Sequence, residues 1–263
     1  MTERERTTMA TTTLNGITIR YEVSGDGAPV LLTHGFSSTG RAWAAQHRAL
    51  QDRYRVISWD MRGHGQTDSP PDPAQYSHDL TVADMHGLLR HLGVERAVVG
   101  GLSLGGTMSL AFYHRHPTMV RALVICDSGP GYRNAQARAE WNGRAERRAA
   151  DLEARGLDAL EAGSRDMQEA VRHHRSAQGL AQAARGMLTQ RDASIIDALP
   201  AVRVPTLIIV GSEDTPFIAP CEYMAKKIPG AHLEVIAGAG HSSNLDRPEA
   251  FNRVLRSFLD SLP

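Results

Sequence analysis

The stretch Val98-Val99-Gly100-Gly101-Leu102-Ser103-Leu104-Gly105-Gly106 decides how this sequence is interpreted. A β-branched run leads directly into the glycine-flanked Ser103, and the residues from Thr107 to His116 have the apolar spacing of a helix. The predicted order is strand, tight turn and helix, with a serine in a strained conformation at the tip. Its hydroxyl would lie at a helix N-terminus, which favours developing negative charge. This placement indicates a nucleophile in acyl transfer, although a plain Gly-rich turn carries the same short pattern.

The composition is that of a globular chain with no overall charge. The 263 residues are 41% hydrophobic and 22% charged, with 29 Lys and Arg against 29 Asp and Glu. A balanced chain has no field that attracts nucleic acid or an anionic membrane, so we expect neither as a partner. The segment from Met1 to Thr8 is polar, and no apolar run is long enough to span a membrane. Cys126 and Cys221 give neither a disulfide framework nor zinc-type spacing, so we expect a cytoplasmic protein.

Along the chain, strand patterns alternate with helix patterns. Asn15-Gly16 is a strong hairpin signal between two strand-like runs near the start. Continuous apolar runs further on are typical of strands that are covered on both faces. The predicted strands are Thr11–Arg20, Tyr21–Ser24, Pro29–Thr33, Tyr54–Trp59, the run before Ser103, Val120–Cys126, Val204–Val210 and His232–Ile236.

Helix signals occupy the intervals between these strands. Arg41 to Leu50 has the pattern of one helix. Thr81 and Asp84 resemble a capping box at the start of another helix, which Gly93 ends. Asp246 is the predicted N-cap of the final helix.

From Tyr132 to about Asp192 the composition shifts towards Ala, Arg, Glu and Gln, and apolar residues become sparse. This pattern predicts a helical insertion before the last two strands. We therefore expect an α/β core formed by residues 1–131 and 193–263, with a mostly parallel central sheet flanked by helices. Residues 132–192 would form a helical cap, or lid, over the core.

In such a sheet a site lies beyond the carboxyl ends of the strands. The residues predicted at those ends are His34-Gly35-Phe36, Asp60, Ser103, Asp127, Asp214 and His241. Their chain order of nucleophile, acid and base, with the Gly-Leu-Ser-Leu-Gly turn, resembles the α/β-hydrolase superfamily over nearly the whole chain. Within that superfamily the chain looks most similar to small carboxylesterases, enol-lactonases and cofactor-free haloperoxidase-like perhydrolases.

The resemblance implies a role for each of these residues. Ser103 would be the nucleophile, His241 its general base, and Asp214 the acid that orients the imidazole. Asp127 is the alternative acid, because some relatives carry the acid after the preceding strand. The backbone N–H groups of Phe36 and Leu104 would form the oxyanion hole. His34 and the segment from Asp60 to Gly65 are interpreted as braces for the loops.

The cap would supply the substrate pocket. Trp141, Met187 and Phe217 are the candidate substrate-binding residues, with Phe36, Leu104, Met167 and Leu188 as further candidates for its lining. Basic groups in the cap fit either recognition of a substrate carboxylate or a solvated helix face. These groups are Arg144, Arg147, Arg148, His173, His174 and Arg175.

The sequence therefore predicts a serine hydrolase that cleaves a small-molecule carboxylic ester or lactone through an acyl-enzyme. Two alternatives use the same triad: a carbon–carbon bond hydrolase, and a cofactor-free perhydrolase or acyltransferase. A ligand-binding protein that keeps the fold without turnover is a third alternative, but it would predict a broken triad. A dinucleotide-binding oxidoreductase is not expected, because the third glycine of its Gly-x-Gly-x-x-Gly motif is missing after Gly63-His64-Gly65. We expect no cofactor and no metal, and a homodimer is one assembly open to the chain.

Overall fold

The computed structural model describes residues 8–263, whose strands form an eight-stranded β-sheet. The strands are β1 Thr8–Leu14, β2 Ile17–Ser24, β3 Ala28–Thr33, β4 Tyr54–Trp59, β5 Ala97–Leu102, β6 Val120–Cys126, β7 Thr206–Gly211 and β8 His232–Ile236. Across the sheet they follow the order β1-β2-β4-β3-β5-β6-β7-β8. Strand β2 is antiparallel to β1 and β4, whereas β3 to β8 pair in parallel. The predicted mostly parallel α/β sheet is therefore correct.

The hairpin at the start of the sheet turns where the sequence predicts it. Asn15 and Gly16 have φ angles of 50° and 78°, as a tight hairpin turn requires at its two central residues. The predicted strand bounds were wrong, because β1 ends at Leu14 and β2 runs without interruption from Ile17 to Ser24. Strand propensity continues on both sides of such a turn, so the turn residues alone mark the boundary.

Helices flank the sheet and fill the intervals between the strands. The α-helices are α1 Ala44–Leu50, α2 His78–His91, α3 Leu104–Arg115, α4 Ala135–Arg155, α5 Arg165–Ala170, α6 Ala177–Ala183, α7 Ser194–Ala198, α8 Thr215–Lys227, α9 Ser243–Asp246 and α10 Pro248–Ser261. The 3₁₀ helices are Gly40–Trp43, Pro73–Gln75, Pro117–Met119, Gly156–Leu160, Val171–His173 and Leu199–Ala201, and Ala184–Leu188 forms a π-helical turn.

The central strands are covered on both faces, which explains their continuous apolar runs. All six residues of β5 and all six of β7 are buried. Neighbouring side chains of β5 belong to different clusters: Val99 packs in a cluster with Met108, and Val98 in a cluster with Phe251. Burial on both faces fixes the strands, and thereby the positions at which their carboxyl ends meet.

The start of α2 differs from the predicted capping box. Ser77 is the N-cap, and its Oγ accepts a hydrogen bond from the Leu80 N–H at 3.1 Å. Thr81 lies inside the helix, and Asp84 accepts hydrogen bonds from Arg62 at 2.7 and 2.9 Å. The prediction was wrong because a polar pair at this spacing also suits a helix face that meets a buried guanidinium.

The predicted N-cap of the final helix was also wrong. Helix α10 begins at Pro248, and no side chain caps its first turn. Asp246 instead accepts a hydrogen bond from the Gly240 N–H at 2.9 Å, so it holds the loop that carries His241.

Helices α4 to α7 lie between β6 and β7, and α4 to α6 fall within residues 132–192, the predicted helical insertion, whereas α7 follows it. Helix α4 packs against α6 and against the π-helical turn. The division of the chain at residues 131/132 and 192/193 stays a prediction. Within residues 8–263, no helix combines the length and apolar character needed to cross a membrane.

Candidate active site

Ser103 occupies the tight turn between β5 and α3. Its φ of 54° and ψ of −116° are rarely adopted by a residue with a side chain. A Cβ at Gly101 or at Gly105 would collide with the Thr33 carbonyl oxygen, so only glycine fits at these two positions. The turn thus places the Ser103 hydroxyl at the N-terminus of α3, as the sequence predicts.

Three predicted residues come together at the carboxyl ends of the strands. His241 Nε2 lies 2.9 Å from Ser103 Oγ, and His241 Nδ1 lies 2.8 Å from Asp214 Oδ2. The Asp214 carboxylate can only accept a hydrogen bond, so Nδ1 must be the donor and the neutral imidazole carries its proton on Nδ1. Nε2 is then free to accept the Ser103 proton. Asp214 follows β7, and His241 lies on the loop between β8 and α9.

The carboxylates around His241 change its pKa. Burial alone lowers this pKa, because it disfavours the charged imidazolium. The hydrogen bond to Asp214 and the charges of Asp214, Asp127 and Asp166 act in the opposite direction and raise it above its ordinary value. The imidazole therefore takes up a proton more readily than an isolated histidine.

Asp127, the alternative acid, has other partners. Its Oδ1 accepts a hydrogen bond from the Gly211 N–H at 2.8 Å, and its Oδ2 accepts one from the Ser243 hydroxyl. Burial raises the pKa of Asp127 to about 7. The residue links the end of β6 to the end of β7 and to the start of α9.

The two backbone groups expected to form the oxyanion hole flank Ser103. Leu104 is the first residue of α3, so its N–H has no acceptor within the helix. Within residues 8–263, neither the Phe36 N–H nor the Leu104 N–H donates a hydrogen bond to another group. Both donors are therefore free to bind a ligand.

The residues interpreted as loop braces make structural contacts. His34 Nε2 accepts a hydrogen bond from the Met61 N–H at 3.0 Å. Asp60 accepts hydrogen bonds from the Gly40 N–H at 2.8 Å and the Gln66 N–H at 2.9 Å. These contacts fix the loops that follow β3 and β4. Within the part of the chain that the structure describes, no group of three His, Cys, Asp or Glu could hold a metal ion.

Two chambers meet at Ser103. The first has a volume of about 180 Å³, and all three predicted substrate-binding residues, Trp141, Met187 and Phe217, line it. The second has a volume of about 250 Å³ and is lined by Phe36, His241 and others. Trp141 and Phe217 also border the second chamber and so stand between the two. The Trp141 Nε1–H is held by the Leu188 carbonyl oxygen at 2.8 Å.

Comparison with known proteins places this geometry in a family. Residues 30–254, which include all three hydrogen-bonded residues, match the model of the alpha/beta hydrolase family. The chain is a member of the alpha/beta hydrolase family. The resemblance inferred from the sequence is confirmed.

Relatives of this hydrolase span nearly its whole length. A 3-oxoadipate enol-lactonase from Acinetobacter baylyi is 28% identical, with 95% of this chain and 96% of the relative aligned. A Bacillus subtilis protein provisionally named 2-succinyl-6-hydroxy-2,4-cyclohexadiene-1-carboxylate synthase is 29% identical, with 93% and 96% aligned. The structure of a thermophilic esterase from Thermogutta terrifontis is 30% identical, with a TM-score of 0.82 and coverage of 98% and 99%. These relatives support a hydrolase, but their names cover more than one reaction.

The basic residues of the insertion have different surroundings. Arg144 lines the first chamber of this hydrolase and Arg148 the second. His174 instead fastens the insertion to the core, because its Nδ1 accepts from the Gly65 N–H at 2.9 Å and its Nε2 donates to the Ser37 carbonyl at 3.0 Å. Burial lowers the pKa of His174 to about 4, so the imidazole is neutral at pH 7.

Asp166 lines the second chamber and was not predicted from the sequence. It lies on α5, a helix of six residues in a segment with few apolar residues. A serine two positions earlier, Ser164, is the only local signal, since a hydroxyl at that spacing can hold a carboxylate.

Proposed function

We propose that this hydrolase cleaves a carboxylic ester or a lactone through an acyl-enzyme on Ser103. The observation that carries the proposal is the hydrogen-bonded series from Ser103 Oγ through His241 to Asp214 Oδ2, with contacts of 2.9 and 2.8 Å. This series matches a nucleophile, its general base and the group that orients the base. The strained turn supports the same interpretation, because it presents the hydroxyl at the start of a helix.

In the acylation step, Ser103 Oγ attacks the carbonyl carbon of the substrate and its proton passes to His241 Nε2. The carbonyl electron pair moves to the oxygen, which becomes the oxyanion of a tetrahedral intermediate. Asp214 stabilises the imidazolium through Nδ1. When the intermediate collapses, the bond to the alcohol oxygen breaks and that oxygen takes the proton from His241. The products are an ester on Ser103 and the free alcohol.

The oxyanion would be bound by the free N–H groups of Phe36 and Leu104. Both donors belong to the backbone, so they are positioned before the substrate arrives and need little rearrangement. Loss of one such donor typically lowers the rate about a hundred- to a thousandfold.

Deacylation repeats these transfers with water. His241 takes a proton from a water molecule whose oxygen attacks the acyl carbon, and Ser103 Oγ then leaves and recovers the proton. The products are a carboxylic acid and the resting enzyme. Neither step requires a metal or a cofactor.

Hydrolysis of short-chain p-nitrophenyl esters by the purified protein tests this proposal. We expect turnover by the wild type and a loss of at least about a thousandfold in kcat for Ser103→Ala. Ser257→Ala is a matched control, because Ser257 is exposed on α10 and lines neither chamber. Comparable rates for Ser103→Ala and the wild type would contradict the proposal.

A second candidate is carbon–carbon bond cleavage, or transfer of the acyl group to an acceptor other than water. Similarity to the Bacillus subtilis synthase favours it, since that name does not describe an ester hydrolase. The residues after His241 are Ser242-Ser243-Asn244 and lack the tryptophan expected from a resemblance to carbon–carbon hydrolases. A panel of esters, lactones and carbon–carbon substrates, with hydrogen peroxide as an alternative acceptor, separates these candidates by their products.

A further inference from the structure

Asp166 is a buried carboxylate that the proposed mechanism does not use. It is only 3% exposed. Its Oδ1 accepts hydrogen bonds from Ser164 Oγ at 2.6 Å and Ser242 Oγ at 2.8 Å, which fix the side chain. Its Oδ2 accepts no hydrogen bond from any side chain or backbone group of residues 8–263, and Asp166 lines the second chamber. One carboxylate oxygen is therefore available to a ligand.

This free oxygen lies close to the nucleophile. A Cβ added at Gly35 would lie 3.4 Å from Asp166 Oδ2 and 3.4 Å from Ser103 Cβ. The two groups thus approach each other across the glycine that precedes Phe36. A substrate bonded to Ser103 would bring its neighbouring atoms within reach of Asp166 Oδ2.

The position of His241 indicates which half of an ester faces Asp166. The departing alcohol oxygen must receive its proton from His241 Nε2, so it must lie on that side of Ser103. His241 lines the second chamber and not the first. The alcohol half therefore belongs in the second chamber with Asp166, and the acyl half belongs in the first chamber.

A carboxylate oxygen that is covered by an apolar group loses its hydration and gains no partner, which is unfavourable. A hydroxyl group would replace the lost water as a donor. We propose that Asp166 selects esters whose alcohol half carries a second hydroxyl group, such as monoesters of diols and polyols. This inference rests on the proposed function, since it assigns the substrate class of the same site.

Arg148 is a positively charged group in the same chamber, so it would attract a substrate whose alcohol half is anionic. Its guanidinium makes a contact of 3.8 Å with Met167 Sδ, and it forms no ion pair with any described carboxylate. Arg148 is half-buried, whereas Asp166 is almost fully buried and fixed by two serines. Asp166 should therefore dominate recognition next to Ser103, and an anionic alcohol is the competitor that any test must include.

Two esters of matched size test the proposal in the wild-type enzyme. 2-Hydroxyethyl butyrate and n-propyl butyrate differ by a hydroxyl in place of a methyl group and form the same butyryl-enzyme. A difference in kcat/KM between them therefore arises before or during acylation. We expect the hydroxyethyl ester to be favoured at least about tenfold in a pH-stat assay. Carboxymethyl butyrate, which is anionic, should be the poorest of the three.

Asp166→Asn assigns this preference to the carboxylate. Asparagine keeps one acceptor for the two serines and presents its amide N–H₂ to the chamber. We expect the preference for the hydroxyethyl ester over the propyl ester to fall about tenfold. The kcat/KM for carboxymethyl butyrate, relative to the propyl ester, should rise. Glu169→Gln is the matched control, because Glu169 lies on the same helix, is exposed and pairs with Arg165 at 2.9 Å. It should leave all three ratios unchanged.

The outcomes separate this inference from the proposed function. Hydrolysis of all three esters without a preference for 2-hydroxyethyl butyrate, or with carboxymethyl butyrate preferred, overturns the inference alone. Equal slowing of the two neutral esters in Asp166→Asn overturns it as well, because a merely structural role would have that effect. Failure to hydrolyse any of them overturns the inference if p-nitrophenyl esters are still cleaved, whereas failure on p-nitrophenyl esters and lactones as well overturns the proposed function. If Asp166→Asn does not fold, the wild-type preference decides.

Discussion

The two sides of Ser103 are built in different ways. On the sheet side, Ser103 and Asp214 follow strands whose residues are all buried, β5 and β7. On the insertion side, Trp141 and Asp166 lie on α4 and α5, whose other faces are exposed. The difference teaches that the nucleophile and the acid follow fully buried strands, while groups around the substrate are carried by partly exposed helices. Reaction and selectivity should therefore respond to different substitutions.

The largest effect is expected on the sheet side, from Asp214→Asn. The amide would hold the wrong tautomer of His241 and would not stabilise the imidazolium, so kcat should fall about ten-thousandfold. Asp127→Asn is the matched control, since Asp127 bonds to Gly211 and Ser243 and makes no hydrogen bond to His241. This control should lower kcat by less than about tenfold. A greater loss in Asp127→Asn than in Asp214→Asn would reverse the assignment of the acid.

Folding stability should show the same contrast. Arg62 and Asp84 are fully buried and joined at 2.7 Å, so Arg62→Met would leave an unpaired buried carboxylate. We expect a loss of about 3–5 kcal/mol in the free energy of unfolding. Arg155 pairs with Asp151 at 3.2 Å on the exposed surface of α4, so Arg155→Gln should cost at most about 1 kcal/mol. Urea unfolding of both variants measures the difference, and equal losses would contradict it.

The pH dependence tests the charges gathered around His241. Only the neutral imidazole can act as the base, so kcat/KM should fall as pH drops through its pKa, about tenfold per pH unit. Because the neighbouring carboxylates raise this pKa, the midpoint should lie above the ordinary value of about 6.5. Asp127→Asn removes one raising charge and should move the midpoint downward. A flat profile between about pH 5 and 8 would argue against His241 as the base.

The smallest effect is expected on the insertion side, from Trp141→Ala. The indole borders both chambers, so its removal should enlarge them and favour longer acyl chains. We expect the ratio of kcat/KM for p-nitrophenyl hexanoate and acetate to rise by roughly tenfold or less. Trp141→Phe keeps most of the ring and should shift the ratio less. A loss of kcat that is the same for every chain length would instead indicate a role in positioning the reacting groups.

The strands that precede Ser103 and Asp214 can be predicted from the sequence. Continuous apolar runs mark strands buried on both faces, and a parallel sheet brings their carboxyl ends to one edge. Ser103, Asp214 and His241 are therefore among the residues predicted at that edge, and the resemblance to α/β-hydrolases selects them. In the structure His241 lies within hydrogen-bonding distance of both Ser103 and Asp214. Their catalytic roles stay predictions.

Sequence could not place the contacts that depend on packing between distant segments. Asp84 was assigned to a helix cap, but it pairs with Arg62, which lies in the loop after β4. Asp166 was missed because its partner Ser242 is far away in the chain, and nothing in a short polar helix predicts that contact. The spacing of apolar and polar residues along the chain predicts which side chains are buried. The partner of a buried polar group depends on the whole fold.

The most direct test of the central claim is covalent labelling with a fluorophosphonate ester, which reacts with activated serine hydroxyls and mimics the tetrahedral intermediate. Intact-mass measurement followed by peptide mapping locates the adduct. We predict one equivalent on the peptide that contains Ser103, with ester hydrolysis lost in parallel and no labelling of Ser103→Ala. Labelling of another residue, or full ester hydrolysis by an enzyme whose Ser103 is already labelled, would contradict an acyl-enzyme on Ser103.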